Sequence, residues 1–326
     1  MKKSLLFFLF ILYTSALFAD GVKIGDLNYN LDAQSRTAEV TYQCIGLVNY
    51  SDLPDSVLTI PAYVNYDNIT YSVISIGYQA FVNCRNLISV TIPNSVLTID
   101  ANAFFSCSRL TKVAVPNSVS YIGPMAFYNC IQLRSAILPK GLRVISGSTF
   151  EGCTSLIAVT FPDSLSIIYD GAFKNCTSMR AAMLPEKVTY IGSQTFKDCR
   201  SLTKVSLPSG LTSLQSNTFT GDSALQEIYN YVDSPLVING NFSGTDTLTC
   251  VLYVPEASIP LYQAANGWKS FQNIRPLPDG KEGEEDAVEH LQLDRLAEPR
   301  KILDNGRVCI LMPDGTLYTV SGQRIR

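Results

Sequence analysis

Hydrophobic and polar positions follow one 23-residue pattern through the middle of the chain. The stretch IGYQAFVNCRNLISVTIPNSVLT, residues 76–98, is followed directly by IDANAFFSCSRLTKVAVPNSVSY, and the pattern then continues. One phenylalanine recurs at this interval, at Phe81, Phe104, Phe127, Phe150, Phe173, Phe196, Phe219 and Phe242. A fixed period of this length predicts a solenoid in which each repeat forms one coil.

Each repeat predicts a short strand, a turn and a short helical piece. In the segment LxxVxIP, Val90 and Ile92 lie on one face while Ser89 and Thr91 lie on the other, which is the periodicity of a strand. Pro93 ends that strand, because proline cannot donate a hydrogen bond to a sheet. The apolar residues of IGxxAFxxC have helical spacing, as at Ile76, Ala80, Phe81 and Cys84.

A single coil buries too little apolar surface to offset the conformational entropy that is lost when it becomes ordered. Neighbouring coils must therefore supply one another's core, with their strands paired in parallel about 4.8 Å apart. The predicted fold is a solenoid with a parallel β-sheet ladder on one side and short helical turns on the other. We expect it to be capped at both ends and followed by a C-terminal β-hairpin.

The N-terminal residues 1–19 predict a secretory signal peptide, because two lysines precede an apolar run and small residues at Ala16 and Ala19. No cysteine precedes Cys44, so the usual lipid-attachment cysteine is missing, and no second apolar stretch is long enough to span a membrane. We therefore expect a secreted or cell-surface protein. The remaining predicted regions are an N-terminal β cap (20–75), the repeats (76–254), a C-terminal cap (255–278), an acidic linker (279–299) and a hairpin tail (300–326).

The formal charge of the chain is −3, and it becomes −5 when the two lysines of the signal peptide are removed. The acidic stretch 279–289 alone carries −5, so the remainder is close to neutral. Nucleic acids and anionic membranes require a basic footprint, which this charge balance does not provide. We therefore expect neither as a partner.

The pattern I-G-x-x-A-F-x-x-C-x-x-L-x-x-V-x-I-P-x-x-V resembles the BspA-like class of leucine-rich repeats, found in surface and secreted proteins of Bacteroidetes and other microbes. The resemblance covers residues 76–254, and the preceding stretch 57–77 looks like the lead-in of that family. It implies a curved leucine-rich repeat solenoid with a role in extracellular binding, often adhesion or host interaction. This sequence departs from the pattern where threonine replaces the alanine before phenylalanine, at Thr149, Thr195 and Thr218.

One cysteine per coil forms a predicted column, at Cys84, Cys107, Cys130, Cys153, Cys176 and Cys199. A line of sulfur atoms does not make the tetrahedral site that zinc prefers, so we expect no metal there. Disulfides between neighbouring coils stay open, because Cα atoms about 5 Å apart lie within the permitted range. Such pairing would make alternate coils different, whereas the sequence makes them alike, so buried structural thiols are favoured.

No catalytic motif or cofactor-binding motif occurs in the chain. The single histidine, His290, lies in the acidic linker. Among the outward strand positions only Glu227 is acidic, so the carboxylate pair of a glycosidase is missing. We therefore expect a binding protein without enzymatic activity or cofactor, and a glycan-active enzyme is the weaker alternative.

The outward strand positions predict a shallow concave face for a protein or glycan partner, with a small, apolar centre and a basic rim formed by Lys112 and Lys204. An equally weighted alternative is that small residues merely avoid crowding on a curved sheet. A further alternative is a structural assembly in which the face packs on copies of itself as a homo-oligomer. The predicted partner-binding residues are Lys112, Ala114, Ser135, Ile137, Ala158, Thr160, Ala181, Met183, Lys204 and Ser206.

Overall fold

The computed structural model describes residues 21–42 and 56–278, together with three strands between residues 300 and 319. The predicted signal peptide, Cys44 and the acidic linker with His290 lie outside the described residues, so the expectations for them stay predictions. Within the described part of the chain, no helix is long and apolar enough to cross a membrane.

The described residues of the N-terminal region form six strands, most of which belong to a mixed sheet. Its strands are β1 (Val22–Ile24), β2 (Leu27–Asp32), β3 (Thr37–Val40), β4 (Ser56–Thr59), β5 (Tyr63–Tyr66) and β6 (Ile69–Ile76). Strands β1, β2 and β3 form an antiparallel meander, and β5 and β6 form a hairpin. Strand β3 pairs in parallel with β6, whereas β4 pairs in parallel with the first repeat strand.

Each coil places one strand in a parallel ladder, as the sequence predicted. The face strands are β7 (Leu87–Thr91), β9 (Lys112–Ala114), β11 (Ser135–Ile137), β13 (Ala158–Thr160), β15 (Ala181–Met183), β17 (Lys204–Leu207), β19 (Glu227–Asn230) and β20 (Val251–Val254). Residues 23 positions apart lie side by side, so Ser135 pairs with Lys112 on one side and Ala158 on the other. The pairing of equivalent residues confirms the stacked parallel coils.

The ladder is divided into two sheets between β13 and β15. Phe161, directly after β13, stands where the neighbouring coils carry the smaller Leu138 and Leu184, and its ring packs edge-on against Phe173 with a centroid distance of 5.6 Å. Val159 is half-buried, although its equivalents Val113 and Ala182 are buried. The division of the ladder thus coincides with a larger ring and a less buried inward residue at this coil.

A second, two-residue strand in most coils was not predicted. These short strands are β8 (Thr98–Ile99), β10 (Tyr121–Ile122), β12 (Val144–Ile145), β14 (Ile167–Ile168), β16 (Tyr190–Ile191) and β18 (Ser213–Leu214). Strands β8 and β10 continue the sheet of β6, and the other four form a sheet of their own. Their second residues, such as Ile99 and Ile145, are buried, whereas their first residues face outward.

The predicted helical piece is wrong: the IGxxAFxxC segments are turns. In every coil the fourth residue of the segment has a positive φ, between 54° and 65° from Gln79 to Gly240, which no right-handed helix contains. Alternate backbone N–H groups donate to the next coil rather than along their own segment. Phe81 N–H donates to Ala103 O at 2.7 Å, and Asn83 N–H donates to Phe105 O at 2.7 Å.

The core is built around a column of phenylalanine rings, one in each coil. Neighbouring rings from Phe81 to Phe242 are stacked with centroids 5.1 to 5.5 Å apart and planes within 11° of parallel. Seven of the eight are almost fully buried, and Phe242 is 8% exposed. Such offset aromatic pairs contribute about 0.5–1.5 kcal/mol each beyond their burial. Each coil therefore provides the core of the next.

Aromatic residues also close the C-terminal end of this column. Trp268 and Phe271 pack against Phe242 with ring centroids 5.4 and 5.3 Å away, and the indole N–H of Trp268 donates to Leu236 O at 2.8 Å. They follow helix α1 (Ile259–Ala264) and precede β21 (Asn273–Pro276), which pairs in parallel with β20. The indole thus packs on the last coil, in a region predicted to be a cap.

The described part of the C-terminal tail contains three antiparallel strands, β22 (Arg300–Asp304), β23 (Arg307–Leu311) and β24 (Leu317–Thr319). The sequence predicted two strands in this segment, corresponding to β23 and β24, and missed β22. The prediction of a separate hairpin domain and the exact region boundaries stay predictions.

Candidate functional site

The candidate site is the strand face, the outward-pointing residues of β7 to β19. Ile137 is 43% exposed and Ala114 is also exposed. The residue before each of them in its strand, Ala136 and Val113, is buried and points into the core. Four further predicted residues are partly exposed: Ala158, Thr160, Ala181 and Met183. Strand alternation therefore brings these six side chains to one uncharged surface, as the sequence predicted.

Two of the predicted site residues do not lie on that surface. Ser135 is only 9% exposed and Ser206 only 4% exposed, so neither offers a contact area. The hydroxyl of Ser206 instead accepts the backbone N–H of Leu184 at 2.7 Å, and completes the ladder between neighbouring coils. Serine is small enough to be covered by its neighbours, and strand periodicity alone does not detect that coverage.

The predicted basic rim also requires a correction at its C-terminal side. Lys204 Nζ lies 3.2 Å from Glu227 Oε2, and the hydroxyl of Tyr229 donates to the same carboxylate oxygen at 3.1 Å. Tyr229 is itself stacked on Tyr253 with a centroid distance of 4.8 Å, and burial beside Glu227 raises its pKa to about 12. This end of the face is therefore a neutralised aromatic patch rather than a cationic rim.

The strand face lacks the convergent groups that catalysis requires. Glu227 pairs with Lys204, and no second carboxylate faces it on the described strands. The described residues also contain no cluster of histidine, cysteine or acidic side chains suited to a metal ion. The uncharged side chains of the described strand face are suited to contact with a partner.

The six cysteines of the predicted column are present as buried thiols. From the second member onward, each sulfur donates to the backbone oxygen of a phenylalanine in the preceding coil, as from Cys107 to Phe81 at 3.1 Å and from Cys153 to Phe127 at 3.1 Å. Burial raises the pKa of Cys153 well above its usual range, which disfavours the reactive thiolate. Burial and these hydrogen bonds are typical of cysteines with a structural role.

Asp222 stands in the cysteine column one coil after Cys199, and sequence reasoning overlooked it. Its side chain is fully buried, and Oδ1 accepts the backbone N–H of Cys199 at 2.7 Å. Oδ2 has no hydrogen-bond partner among the described residues, and burial raises the pKa of the carboxyl to about 9. The 23-residue period would have flagged this position, because it replaces a thiol that donates in the other coils.

A second feature missed from the sequence is a set of tyrosines beside the short strands. Tyr121 and Tyr169 are each 46% exposed, and the ring of Tyr169 packs edge-on against that of Tyr190 with centroids 6.0 Å apart. Tyr121 and Tyr190 occupy the same position of different coils. This shared position could have identified the tyrosines as an outward-facing row if the short strands had been predicted.

The stacked coils are similar to those of known leucine-rich repeat proteins. The model of the BspA type leucine-rich repeat region matches residues 62–180 and 143–254, in six copies. A leucine-rich repeat protein of T. pallidum is similar in structure, with 28% identity, a TM-score of 0.50, and coverage of 69% of this chain and 88% of that one. A leucine-rich cell surface protein of Faecalibacterium prausnitzii has 20% identity, a TM-score of 0.45, and coverage of 83% and 97%.

A leucine-rich repeat protein of Bacteroides ovatus gives 21% identity, a TM-score of 0.36, and coverage of 78% of this chain and 88% of that one. Comparison with curated proteins gives no match. The family match covers more than half of the chain and coincides with the coils described above. The chain therefore belongs to the BspA type leucine-rich repeat family.

Proposed function

We propose that the protein is a secreted or cell-surface binding protein whose strand face contacts a protein partner, in adhesion or host interaction. The observation that carries this proposal is the uncharged centre of the face, where Ala114 and the large side chain of Ile137 are exposed on strands in fixed register. Aliphatic side chains of this kind form the centre of protein interfaces. The predicted signal peptide over residues 1–19 supports export.

A rigid parallel ladder favours such a role physically. Neighbouring strands hold the outward side chains of Ala114, Ile137 and Thr160 at positions that packing of the coils determines in advance. A partner therefore loses little free energy to ordering of this surface on binding. The described strand face does not place an acid and a base opposite each other, so its rigidity favours binding over catalysis.

The test is a charge reversal of the apolar centre. The double variant Ile137→Glu and Met183→Glu is compared with wild type for binding to a panel of immobilised extracellular-matrix proteins by surface plasmon resonance. We expect affinity for the bound protein to fall by tenfold or more, because a desolvated carboxylate would face an apolar partner. The free energy of unfolding should change by less than about 0.5 kcal/mol, as is typical of surface substitutions.

Ile131→Glu is the matched control. Ile131 is 44% exposed, almost the same as the 43% of Ile137 in the same coil, but it lies outside the strands. Its substitution should leave binding unchanged. Unaltered binding by the double variant, or equal loss in the control, would refute the strand face as the contact surface. Concentration-dependent dimerisation that only the double variant loses would assign the face to self-association instead.

A further inference from the structure

Basic residues are concentrated along one side of the solenoid, just before the face strands or at their first residue. The five residues that begin after the cysteine in each of the first six coils contain seven arginines and lysines and no acidic residue. These basic residues are Arg85, Arg109, Lys112, Arg134, Arg180, Arg200 and Lys204. The whole chain is nevertheless negatively charged, at −3. Basic residues are thus concentrated in this segment although the chain as a whole is acidic.

Ion pairs weaken this basic side at its C-terminal end but not at its centre. Arg200 lies 3.7 Å from Asp198, and Lys204 lies 3.2 Å from Glu227. Arg134 and Arg180 are both exposed and form no salt bridge with any described residue. Their charges are therefore fully available to an external anion.

These two arginines line a groove on the surface, which we call the arginine groove. It has a volume of about 330 Å³. Two rows form it, one on each side of a column of buried leucine and methionine side chains. The lining residues are Arg134, Ile157 and Arg180 in one row and Ser155, Ser178 and Ser201 in the other.

The groove repeats at the spacing of the coils. Arg134 and Arg180 occupy the same position two coils apart, which corresponds to roughly 10 Å at the usual spacing of parallel strands. The three serines occupy another common position in three consecutive coils. The two rows therefore fit a linear ligand that carries anionic groups roughly 10 Å apart, with hydroxyl groups alongside them.

We propose that the arginine groove binds linear polysaccharides that carry carboxylate or sulfate groups. Guanidinium groups recognise such anions through paired hydrogen bonds. Serine hydroxyls both donate and accept, which suits the hydroxyl groups of a sugar chain. No aromatic side chain lines the groove, so it lacks the stacking platform that single-stranded nucleic acids require.

This inference does not depend on the strand face. The arginine groove precedes the strands, and none of its lining residues belongs to the apolar centre that would contact a protein. Replacement of Ile137 and Met183 by glutamate should therefore leave polysaccharide binding within about twofold of wild type, apart from a general charge effect that salt screens. Protein binding at the strand face and polysaccharide binding in the arginine groove can therefore be tested independently.

The experiment measures binding of the purified full chain to size-defined heparin and alginate oligosaccharides by isothermal titration calorimetry, with neutral dextran for comparison. The double variant Arg134→Ser and Arg180→Ser should bind the acidic oligosaccharides at least tenfold more weakly, and dextran should not bind to any variant. Arg143→Ser is the matched control. Arg143 is also exposed and lies in the same repeat as Arg134, but outside the groove.

Two further variants distinguish specific recognition from general attraction. Arg134→Lys keeps the charge but loses the planar fork, so it should weaken binding severalfold. Ser178→Ala removes one central hydroxyl and should weaken it less. Equal loss in Arg143→Ser, unchanged affinity in the double arginine variant, or tighter binding of a DNA oligonucleotide of equal charge would each overturn the proposal.

Discussion

The inner columns and the outer rows of the solenoid follow opposite rules. The phenylalanine column keeps one residue type through eight coils, whereas the second outward position of the face strands changes from Thr91 to Ala114, Ile137, Thr160 and Met183. Inner side chains are packed against their own equivalents, so a change in one coil must be accommodated by two others. Outer side chains are only partly covered by neighbouring coils, and the rest of their surface is open to solvent or a partner. Constancy inside therefore reflects stability, and variation outside leaves room for recognition.

Among substitutions that test this contrast, truncation of an inner ring should have the largest effect on the free energy of unfolding. Phe150 is fully buried between Phe127 and Phe173, with centroids 5.4 and 5.5 Å away. Phe150→Ala should lower the free energy of unfolding by about 3–5 kcal/mol, because it removes both ring contacts and leaves a cavity. Urea denaturation followed by circular dichroism measures the change.

Phe105→Ala is the matched outer substitution. Phe105 is only half-buried and stacks on one ring, that of Tyr128, at 4.8 Å. We expect a loss of about 1 kcal/mol, in the range of a single aromatic pair. Similar losses for the two phenylalanines would contradict the distinction between inner columns and outer rows.

Asp222 interrupts the cysteine column, one of the inner columns. Its replacement by cysteine should have an intermediate effect on the free energy of unfolding. Asp222→Cys restores the thiol found in the preceding coils and removes a buried oxygen without a partner. We expect the free energy of unfolding at pH 8 to rise by about 1–3 kcal/mol, the usual cost of an unsatisfied buried polar group.

The pH dependence of stability provides a second measurement for this repair. The folded chain retains the Asp222 proton up to a pKa of about 9, whereas an unperturbed aspartate releases it near 3.8. The folded state thus binds more protons between these values, so the free energy of unfolding falls as the pH rises through this range. Asp222→Cys should remove this slope, and the exposed Asp163→Cys should retain it. A slope that survives Asp222→Cys would refute the assignment.

Loss of one thiol from the intact part of the column should have the smallest effect. Cys153→Ala removes the sulfur that donates to Phe127 O at 3.1 Å, but that oxygen still accepts the backbone N–H of Cys130 at 3.3 Å. We expect a loss of about 1 kcal/mol, the net value of one hydrogen bond. The exposed neighbour Thr154→Ala should change stability by less than half of that, and equal effects would show that the column contributes nothing specific.

The buried thiols can also be tested without mutation. The six thiols of the column should react with a thiol reagent at pH 8 only as fast as the protein unfolds, because burial raises the pKa of Cys176 and Cys199 well above their usual range. Rapid labelling of these thiols in the native protein, located by peptide mass spectrometry, would contradict the inner position of the column.

Several elements of the fold could be predicted because a local signal specifies them. Val90 and Ile92 alternate with Ser89 and Thr91, and that alternation alone predicts the face strand and its inner side. The fixed period predicts which residues stack, since residues 23 apart must occupy equivalent positions in successive coils. The rings of the phenylalanine column were predicted in this way.

Other elements carry no local signal. Strand β8 has only Thr98 and Ile99, too short for any periodicity, and it forms because β6 and β10 offer hydrogen-bond partners on both sides. The turns before the cysteines contain apolar residues at helical spacing, so their pattern favoured a helix. Gln79 adopts a left-handed conformation instead, because its N–H then donates to Ala101 O in the next coil.

The candidate site was predicted only in part for the same reason. Alternation identifies the outward positions, yet it cannot tell that neighbours cover Ser135 and Ser206 or that Glu227 neutralises Lys204. Those facts depend on the distance between side chains of different coils. The arginine groove likewise exists only when residues 46 positions apart are brought onto one side of the solenoid.

The amino-acid sequence by itself determined the coil length, the face strand, the inner columns and the repeat family, because each depends on residue types at fixed intervals. The tertiary structure alone decided the short strands, the left-handed turns, the buried carboxyl of Asp222 and the arginine groove. Each of these arises from contacts between coils, and the hydrogen bonds and burial that define them do not exist until the coils have stacked.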